Sequence, residues 1–495
     1  MKLRGLVLLA LVSTVALRAE VTVPKVLSSH MVVQRDLPVH VWGLAAPGET
    51  VTVSFRGESG SVKAGELGHW SVYLKPGAAG GPFQLTVTGD AAEDKPMVLD
   101  DVLVGDVWVA SGQSNMEFVL KNAATADADL PKAANNNLRL LLVKKAAINY
   151  PQSDIDSEGW AVSSPDSAKD FSAVAWYFAR EIAAREHVPV GVIDTTWGGT
   201  PVEAWTRVAA LGADAAVSPL FQSWGKMRER ESDALLKKSL QDKASAEAKA
   251  QGKPVPSAPW APKLDSWEPG NLYNGMIAPL TQFPIKGALW YQGESNADAE
   301  RGPLYSRIFR DMIEDWRRQW GVGDFPFLYV QIANYKPGTE WPTLRDEQLK
   351  TLALKNTGMA VIIDIGNPDN VHPTDKLDVG IRLSLPARVL GYGEQLEYSG
   401  PVFRQATPEG AAVRAWFEHA GGMVANGGEL TAFEVAGTDG KFVPATAKIE
   451  GATVVASSPD VAVPVAVRYG WAANPACNLY NAAGLPASPF NSTRK

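Results

Sequence analysis

The stretch Leu103-Val-Gly-Asp-Val-Trp-Val-Ala-Ser-Gly-Gln-Ser-Asn-Met116 connects an apolar run to a glycine turn and then to the start of a helix. The run Leu103 to Ala110 is predicted to be a strand of a parallel sheet. Gly112 lets the chain turn sharply, so Ser114 is expected at the carboxyl end of that strand, where the first N–H groups of the helix favour a developing negative charge. Ser114 is therefore a candidate nucleophile. Considered alone, a serine at this position is more often a helix cap.

Apolar strands alternate with amphipathic helices from this stretch to about residue 405. Besides Leu103 to Ala110, the predicted strands are Leu138 to Val143, Val188 to Asp194, Ile285 to Tyr291, Phe327 to Ile332 and Met359 to Asp364. The predicted helices are Ala173 to Glu186, Leu304 to Trp320, Leu344 to Lys355 and Leu377 to Leu390. The alternation indicates an α/β domain over residues 101–405, with a mostly parallel sheet and helices on both faces. A densely charged segment at about 225–255 has no catalytic pattern and is expected to be a solvated helical insertion.

The two flanks of this domain have a different pattern. Residues 20–100 and residues 406–495 alternate apolar and polar side chains in short runs that are broken by glycine and proline. This pattern predicts a β-sandwich region at each end of the chain. The sequence leaves open whether the C-terminal region packs with the N-terminal one as a single domain or forms a domain of its own.

The first 19 residues are typical of an export signal. Lys2 and Arg4 precede the apolar run Leu6 to Leu17, which is too short for a permanent membrane anchor, and Ala19 precedes the expected cut. The single cysteine, Cys477, excludes an internal disulfide and a zinc site built on paired cysteines. A net charge of −7 without a basic cluster gives no sign of nucleic-acid binding. We expect a secreted or periplasmic bacterial protein, and the sequence does not specify its oligomeric state.

A serine nucleophile requires a base, and the sequence offers six histidines. Five of them lie in the predicted β regions or at a helix end, namely His30, His40, His69, His187 and His419. His372 instead follows a late predicted strand, which places it at the same edge of the sheet as Ser114. Asp369 is expected to orient the imidazole and complete a catalytic triad. A turn role is the alternative for Asp369, and Asp375 is a rival partner that more often caps the following helix.

Two more loops at strand ends offer hydrogen-bond donors to an oxyanion. They are Thr195-Thr-Trp-Gly-Gly-Thr200 and Gln292-Gly-Glu-Ser-Asn296. The N–H of Ser114, the N–H of Gly198 or Gly199 and the side-chain amide of Asn296 are predicted to surround the oxyanion. Each loop alone is more often an ordinary turn. Their combination with the serine and histidine loops indicates a serine hydrolase.

These four loops resemble the blocks of the SGNH hydrolase superfamily, which supply a serine, a glycine, an asparagine and a histidine in this order. The matching segments are Gly112-Gln-Ser-Asn-Met116, Trp197-Gly-Gly-Thr200, Tyr291-Gln-Gly-Glu-Ser-Asn296 and Asp369-Asn-Val-His-Pro373. Flanking segments such as Leu272-Tyr-Asn-Gly-Met-Ile-Ala-Pro-Leu280 resemble more closely the sialate O-acetylesterase family. The resemblance implies the flavodoxin-like α/β fold of the superfamily.

The same resemblance implies that Ser114 attacks an acetyl ester of a carbohydrate, that His372 acts as base and then as acid, and that Asp369 orients His372. It implies no metal and no organic cofactor. Gln113, which stands where many SGNH members have aspartate, is expected to contact the substrate together with Trp197 and Glu294. That substrate is an acetylated sialate or a plant polysaccharide such as xylan. The alternatives are a non-catalytic glycan-binding protein and a lipase or thioesterase on the same scaffold.

Overall fold

The structure, a computed structural model, describes residues 20–90, 95–229, 231–255 and 263–494. The export signal predicted for residues 1–19 lies outside the described residues. Within those described ranges, no helix is long and apolar enough to cross a membrane.

A mostly parallel sheet forms the centre of the molecule. Its strands, in spatial order, are Thr357–Val361, Phe327–Gln331, Gly287–Tyr291, Met97–Gly112, Val190–Thr196, Asn135–Leu142 and Trp160–Ser163. Neighbouring strands are parallel except for the last pair, which is antiparallel. Four of the strands are buried along their whole length, because helices cover both faces of the sheet. All six predicted strands are confirmed.

Helices pack on both faces of this sheet, as predicted. Ala173–Glu186 and Leu377–Tyr392 share one core cluster on one face. Tyr305–Trp320 and Trp341–Lys350 pack into the core cluster of the other face. The third predicted helix begins at Trp341 rather than Leu344, because proline at position 342 is tolerated in the first turn.

Shorter helices connect these elements. The α-helices are Ser114–Glu117, Ala126–Asp129, Pro165–Ala168, Val208–Ala213 and Leu264–Trp267. Single turns of 3-10 helix include Val202–Trp205 and Glu294–Asn296, and Tyr273–Ile277 is a π-helix. The predicted helical insertion is confirmed as Ser218–Glu229 and Glu231–Ala250, and the latter helix carries mostly exposed side chains.

The N-terminal β region is joined directly to the parallel sheet. Its strands are Val32–Gln34, Val39–Leu44, Thr50–Phe55, Glu58–Lys63, His69–Leu74 and Gly80–Gly89. Gly80–Gly89 and Val32–Gln34 pair with the first half of Met97–Gly112, whose second half pairs with Val190–Thr196 and Gly287–Tyr291. The boundary predicted at residue 100 therefore falls inside one continuous strand.

The C-terminal β region has two four-stranded sheets and a core of its own. One sheet contains Val402–Glu409, Ala412–Glu418, Thr446–Glu450 and Thr453–Ser457. The other contains Phe433–Ala436, Phe442–Pro444, Ala466–Tyr469 and Phe490–Asn491, and the short strands Val424–Ala425 and Leu479–Tyr480 form a separate pair. Residues of both four-stranded sheets share one hydrophobic cluster. The region docks on the α/β domain, where the buried guanidinium of Arg345 donates to the carbonyl oxygens of Ala472 and Ala473 at 2.9 and 2.8 Å.

Candidate active site

Four loops meet at the carboxyl edge of the parallel sheet. Gly112, at the end of the central strand, pairs with Thr196 on one side and with Tyr291 on the other. Trp197 N donates to the Gly112 carbonyl oxygen and Gln113 N donates to the Tyr291 carbonyl oxygen, both at 3.0 Å. The three loops that follow these parallel strands therefore begin side by side at one edge of the sheet.

Gly112 is required by the turn that follows the central strand. Its φ is +135°, and a Cβ atom at this position would overlap the carbonyl oxygen of Tyr291. After this turn Gln113 occupies the N-cap position of the helix Ser114–Glu117, without a side-chain hydrogen bond to that helix. The hydroxyl of Ser114 is thereby held at the open edge of the sheet.

Ser114 and His372 meet at this edge. The Oγ of Ser114 and the Nε2 of His372 are hydrogen-bonded at 2.8 Å, although 258 positions separate them in the chain. Burial lowers the pKa of His372, the positive charge of Lys376 lowers it further, and the negative charge of Glu117 acts in the opposite direction. The predicted juxtaposition is confirmed, and the imidazole is favoured in the neutral form that can accept a proton.

Asp369 does not contact His372 in this structure. The side chain of Asp369 is 78% exposed, and its Oδ1 accepts from Lys336 Nζ at 3.1 Å. Asn367 Oδ1 accepts from the backbone N–H groups of Asp369 and Asn370 and closes a turn that presents Asp369 to solvent. Among the residues that the structure describes, no hydrogen bond joins Asp369 to His372. The observed geometry is the turn role given above as the alternative.

Asp375 is placed as expected. Its Oδ1 accepts from the backbone N–H of Asp378 at 3.1 Å, in the first turn of the helix Leu377–Tyr392. It therefore caps that helix and is engaged away from the imidazole of His372.

Gly198 rather than Gly199 lies against the serine. A Cβ atom at Gly198 would be 3.2 Å from the Ser114 Cβ, whereas the carbonyl oxygen of Gly199 accepts from Trp267 Nε1 at 2.6 Å. The N–H of Gly198 donates to Glu117 Oε2, and the other oxygen of that carboxylate pairs with Lys145. The carboxylate of Glu117 thus already accepts from the Gly198 N–H, which is a predicted donor to the oxyanion. The sequence signal that we missed is an acidic residue three positions after the serine, on the same short helix.

The side-chain amide of Asn296, the predicted third oxyanion donor, is buried and makes internal hydrogen bonds. Asn296 is fully buried, its Nδ2 donates to Glu203 Oε2 at 2.7 Å, and its Oδ1 accepts from the Val202 N–H at 3.0 Å and from Gln292 Nε2 at 2.7 Å. The turn Glu294–Asn296 directs this side chain inward. Asn296 therefore connects its own loop to the segment that follows the glycine loop, and Glu203 uses one of its two Nδ2–H groups, so its role as an oxyanion donor stays a prediction.

Two of the three predicted substrate contacts are also internal. Gln113 Oε1 accepts from Ser295 N at 3.1 Å and Gly293 N at 3.4 Å, which fastens this loop to the serine turn. Glu294 Oε1 accepts from Asn115 Nδ2 at 2.6 Å, and burial raises the pKa of Glu294. Trp197 is half-buried, and Lys145 Nζ lies 5.8 Å from its ring centroid. The contact of Trp197 with substrate stays a prediction.

A buried lysine supports the serine from behind. Lys376 is fully buried, donates to Asn115 Oδ1 at 2.6 Å and lies over the rings of Phe118 and Tyr291, so burial lowers its pKa to about 7. Asn115 Nδ2 also donates to the carbonyl oxygen of Val371 at 3.0 Å. One amide therefore links the serine helix to the loops of Glu294 and His372. Sequence reasoning missed Lys376, whose signal is a lysine four positions after the histidine.

Within the described part of the chain, no three histidine, cysteine, aspartate or glutamate side chains are grouped so that they could hold a metal ion.

Comparison with known proteins places this site in a family. Residues 242–384 match the family described as carbohydrate esterase, sialic acid-specific acetylesterase. Human sialate O-acetylesterase is 30% identical, and the alignment covers 94% of this chain and 91% of the human protein. Mouse sialate O-acetylesterase is 31% identical, covering 76% of this chain and 74% of the mouse protein. A solved structure of a carbohydrate acetylesterase from Xanthomonas citri superposes with a TM-score of 0.83 at 40% identity, covering 95% of this chain and 99% of that one.

With these relatives and this arrangement at the sheet edge, the chain is a carboxylic ester hydrolase. The extent of the matches narrows the assignment further. The protein belongs to the sialate O-acetylesterase family.

Proposed function

We propose that this protein removes O-acetyl groups from carbohydrate through an acetyl-enzyme intermediate formed on Ser114. The observation that carries the proposal is the 2.8 Å hydrogen bond between Ser114 Oγ and His372 Nε2. A neutral imidazole at this distance can take the hydroxyl proton as the oxygen attacks the acetyl carbonyl carbon. The four-block pattern of the SGNH superfamily, seen in the sequence, supports the same assignment.

Each step can be written with the residues at this edge. Ser114 Oγ forms a bond to the carbonyl carbon while its proton moves to His372 Nε2. The tetrahedral intermediate then expels the sugar oxygen, which takes that proton from His372. Water attacks the acetyl-enzyme, His372 accepts a proton from the water, and acetate leaves as Ser114 Oγ recovers a proton.

The negative charge of the tetrahedral intermediate would lie against backbone donors. The N–H of Ser114 opens its helix and has no acceptor within it, and the N–H of Gly198 lies beside the same side chain. Because Glu117 accepts from the Gly198 N–H, the carbonyl oxygen of the substrate has to displace that carboxylate. Asn296 Nδ2 donates one of its two hydrogens to Glu203, so its second N–H is the third donor that we assign to the oxyanion beside these two backbone groups.

The test compares acetate release from para-nitrophenyl acetate by the unaltered protein and by Ser114→Ala. We expect the variant to lose activity by about 10⁴-fold or more. Ser54→Ala, which removes an exposed hydroxyl on a strand of the N-terminal region, is the matched control and should keep full activity. Equal activity of Ser114→Ala and the unaltered protein would contradict the serine mechanism, and inactivity of both would favour the non-catalytic glycan-binding alternative.

The acyl group can be tested separately from the mechanism. Glu117, on the helix of Ser114, pairs with Lys145, and Lys145 Nζ lies 5.8 Å from the centroid of the Trp197 ring, so charged groups and an indole lie near the serine. We expect acetyl esters to be hydrolysed at least tenfold faster than octanoyl esters, by kcat/KM. A preference for octanoyl esters would assign the protein to the lipase or thioesterase alternative.

We also propose that the protein is exported from a bacterial cell. The proposal rests on the signal-like sequence of residues 1–19. Expression in a bacterial host followed by mass spectrometry of the N-terminus should show a chain that begins near Glu20 in the extracytoplasmic fraction. Recovery of the intact N-terminus in the cytoplasm would contradict it.

A further inference from the structure

Asp194 is a buried carboxyl beside the candidate active site, and the proposed mechanism does not use it. It lies on the strand Val190–Thr196 and is 2% exposed. Burial raises its pKa to about 7, and the two contacts on its oxygens come from a hydroxyl and a backbone N–H rather than from a basic side chain. A buried carboxyl in such a setting costs stability, and strongly shifted pKa values are concentrated at functional sites. The position of Asp194 therefore indicates a role at this site.

One oxygen of this carboxylate holds the glycine loop, residues 195–200. Asp194 Oδ1 accepts from the Thr196 hydroxyl at 2.8 Å, and Thr196 is itself buried. The next residue, Trp197, donates its N–H to the carbonyl oxygen of Gly112 at 3.0 Å, and Gly198 follows directly. The start of the loop is therefore fixed by two hydrogen bonds, and the position of the Gly198 N–H depends on them.

The other oxygen holds the serine helix through Ser172. Asp194 Oδ2 accepts from the Ser172 N–H at 3.2 Å, and the Ser172 hydroxyl donates to the carbonyl oxygen of Met116 at 2.6 Å. Met116 belongs to the helix Ser114–Glu117, which presents the nucleophile. Ser172 is fully buried at the start of the helix Ala173–Glu186. One carboxylate thus connects the glycine loop to the serine helix through a single intermediate residue.

A second carboxylate joins the same two elements on the solvent side. Glu117, also on the serine helix, accepts from the Gly198 N–H and pairs with Lys145. In the proposed mechanism, the carbonyl oxygen of the substrate displaces this carboxylate. The contacts of Asp194 remain after that displacement, because they are buried and occupy neither backbone donor of the oxyanion.

We propose that Asp194 is a positioning residue, which fixes the separation between the N–H of Ser114 and the N–H of Gly198 so that one oxyanion can contact both. The inference rests on the proposed esterase mechanism and concerns the same site. Asp194 acts only through Thr196 and Ser172. Because an oxyanion is stabilised by donors at about 2.7–3.1 Å, a small displacement of one donor is enough to slow the reaction.

The first experiment replaces Asp194 and measures kcat and KM on para-nitrophenyl acetate. Asp194→Ala removes both contacts, and kcat should fall by about 10²-fold. KM should stay within about twofold, because acylation and deacylation both pass through an oxyanion and slow together. Asp194→Asn can still accept from the Ser172 N–H and can donate to the Thr196 hydroxyl, so it should keep kcat within about fivefold of the unaltered rate.

The two contacts can also be removed one at a time. Thr196→Val deletes the hydroxyl that Asp194 holds, and it should lower kcat by about tenfold. Thr196→Ser keeps that hydroxyl and should retain most of the rate. Ser172→Ala deletes the link to Met116 and should lower kcat by a similar factor of about ten.

A matched control separates positioning from loss of stability. The buried hydroxyl of Ser163 donates to the carbonyl oxygen of Ala133 at 2.7 Å and accepts from Trp176 Nε1 at 3.1 Å. Ser172 likewise donates to a carbonyl oxygen and accepts from an N–H, that of Ala175 at 3.2 Å. Ser163→Ala and Ser172→Ala should therefore lower stability in urea by similar amounts. Only Ser172→Ala should lower kcat.

Three results would overturn the inference. They are a kcat within about threefold of the unaltered value in Asp194→Ala, an equal loss in Asp194→Asn and Asp194→Ala, and an equal loss of kcat in Ser163→Ala and Ser172→Ala. Ser114→Ala tells this failure apart from failure of the proposed function. If Ser114→Ala is inactive while Asp194→Ala keeps its rate, the serine mechanism stands and the positioning role is wrong. If Ser114→Ala keeps the unaltered rate, the serine mechanism itself is wrong.

Discussion

The Ser114–His372 pair has a buried side, called the rear here, and a solvent-exposed side, called the front. Different interactions hold the two sides. Behind it, Lys376, Asn115 and Glu294 form a buried network whose hydrogen bonds are 2.6 Å long. In front of it, the Glu117–Lys145 and Asp369–Lys336 pairs are a third or more exposed. Buried charges need fixed partners, whereas exposed pairs contribute little and exchange easily. The rear therefore fixes the positions of the two residues, whereas the front can rearrange when a substrate binds.

The largest expected effect comes from the front, at Asp369. If this carboxylate leaves Lys336 and orients His372 during turnover, as the family resemblance implies, Asp369→Asn should lower kcat by about 10³–10⁴-fold. Steady-state kinetics on para-nitrophenyl acetate measure it. Lys336→Met, which frees the carboxylate, should keep at least the unaltered rate. A loss of less than about threefold in Asp369→Asn would leave Asp369 with the turn role alone.

Among the residues of the rear, Asn115 should contribute most to the stability of the fold. Asn115→Ala removes the hydrogen-bond partner of Lys376 and of Glu294, so we expect the free energy of unfolding to fall by about 3 kcal/mol. Urea denaturation measures this, and kcat should fall with it because the serine and histidine loops lose their common link. Asn136→Ala, an exposed asparagine, is the control and should cost less than about 0.5 kcal/mol. A loss of under about 1 kcal/mol in Asn115→Ala would show that the network is not a support.

The two sides should shift the pH profile in opposite directions. His372 must be neutral to act as base, so kcat/KM falls as pH drops through its pKa. Lys376 lowers that pKa, and Lys376→Met should therefore move the acid limb to higher pH. Glu117 raises it, and Glu117→Gln should move the limb to lower pH by a smaller amount. Because burial lowers the pKa of Lys376 to about 7, the comparison should be made on data below pH 7, where this lysine carries its charge. Shifts of the same sign in both variants would contradict this arrangement.

The smallest expected effect concerns the contact between Glu117 and Gly198. Glu117→Gln should weaken the competition for the Gly198 N–H and lower KM for para-nitrophenyl acetate by about twofold to threefold, because exposed charge pairs contribute about 0.2–1 kcal/mol. Raising the ionic strength should narrow the difference between the variant and the unaltered protein. A rise in KM would instead identify Glu117 as a group that binds substrate.

The sequence was sufficient to predict the parallel sheet and the contact between Ser114 and His372. The carboxyl ends of parallel strands lie at one edge of the sheet, and this does not depend on the conformation of the connecting loops. The sequence was insufficient for Asn296. The sequence predicted a donor to the oxyanion, but it did not indicate that the helical turn Glu294–Asn296 buries this side chain and brings one of its two Nδ2–H groups to Glu203. Side-chain direction in such a turn depends on contacts that no local pattern encodes.

Lys376 was missed for a different reason. Lysine is almost never fully buried unless it is paired, so a lysine beside a helix start reads as a solvated residue. Its burial depends on Asn115 and on the rings of Phe118 and Tyr291, which come from two other parts of the chain. Only the assembled edge of the sheet brings these groups together.

The continuity of the strand Met97–Gly112 limits how this protein can be engineered. The first half of this strand completes the N-terminal β region and its last residue precedes the turn to Ser114. If that region were removed or exchanged, the first half of the central strand would lose its paired strands. This loss would occur just before the turn that carries Ser114. The two regions should therefore unfold in one cooperative transition.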